Sequence, residues 1–100
     1  MTTDPSFHMI VEDVFMIRGR GTVVTGKIDA GTLRVGDQVV VKGSNGEKTT
    51  TVTGIEAFRK TLDQANPGEN VGLLLKDLTK QDIQHGDEIL GPHNDFTWNP

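Results

Sequence analysis

The chain has 100 residues, the length of one domain with a single core. With 34% hydrophobic and 24% charged residues, it falls outside the disordered and membrane-spanning classes, and no apolar run reaches spanning length. A net charge of −4 excludes attachment to nucleic acid mainly by phosphate neutralisation, so any RNA contact must use a small pocket or another domain's help.

The first residues, Met1-Thr2-Thr3-Asp4-Pro5, lack a basic segment followed by an apolar one, so no signal peptide is expected. Cysteine is absent, which rules out disulfides and thiolate metal sites and suits a reducing, cytoplasmic setting. Residues 1–6 read as an N-terminal extension, 7–92 as the folded domain and 93–100 as a flexible tail.

Glycine and β-branched residues dominate, and no long stretch keeps a helical period. Residues 7–18 read as one long strand, and 22–29 as its partner across a turn with two glycines and two arginines. Ala30-Gly31 ends that run, and 38–42 is a third strand. Ser44-Asn45-Gly46-Glu47 is a hairpin turn, because Asn-Gly accepts the positive φ it needs. Residues 48–59 form a fourth strand. There Val52 and Ile55 are out of phase for alternation, so a bulge near Gly54 is expected to restore the inward face. Asn66-Pro67-Gly68 is a turn, 70–76 an apolar fifth strand, 78–85 room for one helical turn, and 88–90 a closing strand.

Gly36-Asp37-Gln38-Val39, Gly68-Glu69-Asn70-Val71 and Gly86-Asp87-Glu88-Ile89 share one pattern. The glycine takes a strained turn conformation, the acid bonds nearby amides, and the β-branched residue enters the core as a strand opens. Short strands with such turns point to a closed barrel or a sandwich, and closure removes exposed edges.

Catalytic chemistry is not visible. There is no phosphate-cradling loop, and Val24 stands where a dinucleotide fingerprint on Gly19 and Gly21 needs its third glycine. Ser6 and Ser44 lie outside any nucleophile elbow. His8, His85 and His93 lack metal-ligand spacing and read as surface residues. Adjacent residues on a strand face opposite ways, so Glu12 and Asp13 would not converge on one bond. The expectation is a non-enzyme without cofactor or metal.

Three blocks resemble the second domain of elongation factor Tu, of the translational GTPase family. They are Val-Glu-Asp-Val-Phe through Gly-Arg-Gly-Thr-Val-Val-Thr-Gly (11–26), Thr-Gly-Ile-Glu-Ala-Phe-Arg-Lys (53–60) and Gly-Glu-Asn-Val-Gly-Leu-Leu-Leu (68–75). The resemblance spans roughly 7–92 and implies an all-β, closed six-stranded Greek-key barrel. It implies a pocket for the terminal adenosine of tRNA at Ile17, Gly19, Val23, Glu56 and Leu74. The aminoacyl group would lie near Glu12, Asp13, Phe15, Thr25 and Asn70, and Arg59 near the terminal phosphate.

Apolar walls can sandwich a base, carboxylates suit a free α-amino group, and a guanidinium fork suits a phosphate. Each position also has a bland reading. Ile17, Val23, Leu74 and Phe15 could be ordinary packing, Gly19 and Gly21 could only make the turn, and Glu12 and Asp13 could be a solvated edge. Thr25 could be a routine strand residue, Asn70 could cap a turn, and Glu56 with Arg59 could be a surface pair.

The sequence departs from the family at Arg18, where serine is commoner, and at Ile10, where proline is common. It shows no GTPase domain and no third domain, and the tail 94–100 does not continue into that domain's pattern. The expectation is a stand-alone, monomeric, translation-related module. It would have a weak site for the aminoacyl 3′ end of tRNA at one barrel mouth, other translation-factor domains as further partners, and no membrane contact. The competing expectation is a protein-interaction module acting through the acidic face or the Phe96–Trp98 tail.

Overall fold

The computed structural model describes residues 7–44, 46–57 and 59–91. Ten strands follow in chain order: β1 (Phe7–Ile10), β2 (Asp13–Ile17), β3 (Gly21–Ala30), β4 (Leu33–Arg34), β5 (Gln38–Gly43), β6 (Gly46–Ala57), β7 (Lys60–Leu62), β8 (Gln64–Ala65), β9 (Asn70–Leu75) and β10 (Glu88–Gly91). Six of them, in the order β1-β10-β5-β6-β9-β3, close on themselves through a β1–β3 pairing. All neighbours are antiparallel, so the fold is the expected six-stranded Greek-key barrel. Outside the ring, β2 pairs with β3, β7 pairs with β6, and β4 with β8 forms a small ribbon. No helix among the described residues is long and apolar enough to cross a membrane.

The barrel is filled by inward-pointing alternate residues, among them Met9, Val24, Ile28, Val39, Val41, Ile55, Leu73 and Ile89, with Leu33, Ala65 and Ile83 beside them. The expected bulge is present. Between Val52 and Gly54, β6 has one residue more than β9, whose Leu75 and Leu74 pair with them. Thr53 is the extra residue, and it lets Val52 and Ile55 both point inward. A second irregularity sets His8 opposite Ala30 but Met9 opposite Ile28, leaving Asp29 as the extra residue. The Asp29 carboxylate reaches His8 Nδ1 at 3.0 Å.

The long first strand expected over 7–18 is two strands. At the break, the Val11 amide donates to the Asp87 carbonyl (2.9 Å) and the Glu12 amide to the Thr25 carbonyl (2.8 Å). The chain thus changes partners, from β10 and β3 before the break to β3 alone after it. The fourth strand ends at Ala57 rather than at Arg59. Arg59 lies in the following turn at φ 68, and the chain returns as β7. The β5–β6 pairing extends to Gly43 opposite Gly46, one residue out from the expected turn; Asn45 and the tail after Gly91 lie outside the described residues.

The three echoed segments behave alike. Gly36, Gly68 and Gly86 have φ of 99, 89 and 93, the positive value a type II turn needs at its third position. Asp37, Glu69 and Asp87 each donate an amide to the carbonyl three residues back, in Arg34, Asn66 and Gln84. Their carboxylates accept from those same three residues' amides at 2.9, 2.7 and 3.0 Å. Each turn is locked from both ends, and Val39, Val71 and Ile89 then enter the core.

The helical turn expected over 78–85 is absent. The Asp82 amide donates to the Thr79 carbonyl, and the Asp82 carboxylate accepts from the Thr79 amide at 2.9 Å. Such local side-chain bonds compete with helix. The chain leaving β9 is held instead by buried hydroxyls: Thr50 donates to the Lys76 carbonyl and Thr22 to that of Leu78.

Two outcomes follow. Gly26 allows β1 to cross β3 closely, since a Cβ there would lie 2.3 Å from the Ile10 carbonyl oxygen. Gly26→Ala is expected to destabilise the protein by about 2 kcal/mol in urea unfolding. The Asp82 carboxyl is held below its ordinary value, chiefly by the Thr79 amide and least by Lys48. Its folded pKa lies below its unfolded one, so its contribution is present above the unfolded value and fades as pH falls through the folded one. A carbon-detected NMR titration should find the Asp82 midpoint below 3.8 and little moved by Lys48→Met.

Candidate functional site

In an antiparallel sheet, residues directly opposite one another point to the same side. Four strands, β2, β3, β9 and β6, lie side by side. Their registers align Phe15, Val23, Leu74 and Gly54 in one row across the sheet. Two residues along, Asp13, Thr25, Gly72 and Glu56 form another row on the same face. Ile17 opposite Gly21 and Lys27 opposite Asn70 flank these rows.

The intervening residues Val14, Val24, Leu73 and Ile55 pack in or against the core. The rows therefore belong to the outer wall of the barrel, whereas the site was expected at one barrel mouth. Of the eleven positions singled out there, Asp13, Phe15, Ile17, Val23, Thr25, Glu56, Asn70 and Leu74 share this face. Glu12 joins it at the strand break, Gly19 stands in the β2–β3 hairpin at φ 83, and Arg59 in the turn after β6.

One half of the wall is open. Glu12, Thr25, Gly26, Glu56, Ala57, Asn70, Val71 and Gly72 line a cleft of about 220 Å³. Gly72 deepens it, for a side chain there would stand against Val23 and Thr25. The other half is apolar and covered. Val23 and Leu74 are only 7% and 9% exposed although they point outward and lie outside the core cluster. At the sheet's edge Phe15 and Ile17 are 48% and 38% exposed.

Two residues that spacing did not single out organise the site. Glu56 forms its ion pair with Arg20 of the hairpin, Nη2 to Oε2 at 2.5 Å, and not with Arg59. The Arg20 side chain thus reaches across the wall to β6. His85 donates from Nδ1–H to the Glu12 carbonyl at 2.7 Å. That bond joins the turn before β10 to the cleft's rim, beside the Gly86 amide's bond to the Val11 carbonyl. Arg20 and Glu56 are 36 residues apart and His85 and Glu12 are 73, so no local pattern could link them. Among the described residues no group of three or more His, Asp or Glu side chains could hold a metal ion.

Residues 21–90 match the family model for elongation factor Tu domain 2. The match includes Val23, Thr25, Glu56, Arg59, Asn70 and Leu74. Glu12, Asp13, Phe15, Ile17 and Gly19 precede it.

The two faces of β9 should differ in their effect on stability. Leu73→Ala empties the barrel core, with an expected loss of about 3 kcal/mol in denaturant unfolding. Leu74→Ala opens only the outer wall, where no enclosed cavity is left, with an expected loss of about 2 kcal/mol. Equal losses would contradict the assignment of Leu74 to the wall.

Proposed function

This chain belongs to the elongation factor Tu domain 2 family, and from that membership we propose that its outer wall holds the aminoacylated 3′ end of tRNA. It is a translation-factor barrel module. In this reading it works in the cytoplasm, catalyses nothing itself, and contributes one wall of a recognition surface. The terminal adenine lies over Val23 and Leu74, between Ile17 and Gly19 on one side and Glu56 on the other. The aminoacyl group enters the open cleft toward Thr25 and Asn70. Its α-amino group meets the carboxylates of Glu12 and Asp13, and Phe15 lies along the boundary between the two halves. Arg59, just past Glu56 in the chain, takes the terminal phosphate.

One observation carries this reading. Residues from four adjacent strands, each of a type suited to adenine or to an amino acid, share one outward face across two aligned rows. Ordinary core packing does not account for them, because Val23 and Leu74 stand outside the core. A single wall desolvates only one side of the ligand, so the affinity is low.

A protein partner is the second reading, favoured by β2. That strand ends the sheet path and exposes Phe15, Met16 and Ile17 in succession, an apolar edge able to pair with another chain.

The test is an amide and methyl NMR titration with an aminoacylated adenosine analogue at millimolar concentration. Shifts should cluster at Glu12, Thr25, Glu56, Asn70, Val23 and Leu74. Gly72→Val, which fills the cleft, should abolish them while leaving the barrel's other resonances in place. Absence of shifts, or shifts scattered away from the wall, would overturn the reading.

A further inference from the structure

The tRNA-end reading leaves one contact without a role. Arg20 stands at the hairpin tip, just before Gly21, and Glu56 stands in the row of Thr25 and Gly72. The row of Val23, Leu74 and Gly54 lies between those two levels on the same face. A bond joining Arg20 to Glu56 must therefore pass above that row. Val23 and Leu74 are not members of the barrel core cluster, yet both are nearly buried.

Resting on the proposed tRNA-end function, we propose that the Arg20–Glu56 ion pair is a latch that closes the apolar, adenine-binding half of the site while leaving the aminoacyl half open. The cleft's lining supports the division. It includes Glu56, Thr25 and Gly72 but stops short of Val23, Leu74 and Phe15. Adenine reaches the apolar floor only when the guanidinium leaves the carboxylate and the hairpin lifts. Opening also frees a Glu56 oxygen to accept from the exocyclic amine, so the group that shuts the site also recognises its ligand.

Both partners are well exposed, with side-chain exposures of 44% and 37%. An exposed pair is a weak clasp, and its loss should raise the open fraction by a factor of about two to five. The latch is thus suited to graded control: a competing anion near Arg20, or a cation near Glu56, would open it.

The test compares the wild-type chain with Arg20→Gln and Arg20→Lys. The first readout needs no ligand. Relaxation of the Val23 and Leu74 methyls by a soluble, uncharged paramagnetic agent should rise in Arg20→Gln and stay near wild type in Arg20→Lys, while the Leu73 methyls stay protected in all three. The second readout is the Kd of adenosine, which is uncharged and so does not respond directly to the lost cation. Arg20→Gln should bind it about two- to fivefold more tightly.

Unchanged methyl exposure would overturn the latch whatever the affinities. Weaker adenosine binding in Arg20→Gln would overturn it too, by making Arg20 a ligand contact. A rise in exposure with no adenosine binding by any form would uphold the closure and overturn the tRNA-end reading.

Discussion

Strand β3 is shared, and the molecule is organised by that sharing. Its first half pairs with β2 on one side and β9 on the other, while its second half pairs with β1 to close the barrel. One strand can serve three neighbours only if the chain opposite it breaks. The break comes at Val11 and Glu12, whose amides turn to Asp87 and Thr25. Gly26 is the matching feature on β3, where any side chain would strike the Ile10 carbonyl. Without this exchange β2 would stay in the ring, and the four-stranded outer wall would not exist.

The wall is chemically divided. Its acidic end, with Glu12, Asp13 and Glu56, is suited to a cationic amine. Its apolar end, with Val23 and Leu74, is suited to a base. A net charge of −4 is no obstacle for a ligand recognised by a pocket rather than by its phosphates. Arg20 of the hairpin pairs with Glu56 at the surface, and the proposed latch sets this pair over the apolar end.

Much of the fold is legible in the sequence because its signals are local. The three glycine–acid turns could be read directly, for both the positive φ and the returning carboxylate bond act within four residues. The bulge at Thr53 could be read from the phase error between Val52 and Ile55. The non-local features could not. The break at Glu12 depends on carbonyls at Thr25 and Asp87, and the helical turn expected before His85 yields to a bond between Thr79 and Asp82. Candidate residues could be named, but not the face they share. In β9, Leu73, Leu74 and Leu75 are all buried, so hydrophobicity does not say which of them faces out. Only the register with β3 and β6 separates wall from core.

The central claim is that register. It is tested most directly by side-chain nuclear Overhauser effects in a methyl-labelled sample. The account predicts cross-peaks from the Phe15 ring to the Val23 methyls and from the Val23 methyls to those of Leu74, because all three stand in one outward row. Cross-peaks from the Phe15 ring to Val24 or Leu73 instead would mean that the strands are shifted by one residue. The outer wall, and the site built on it, would then not exist.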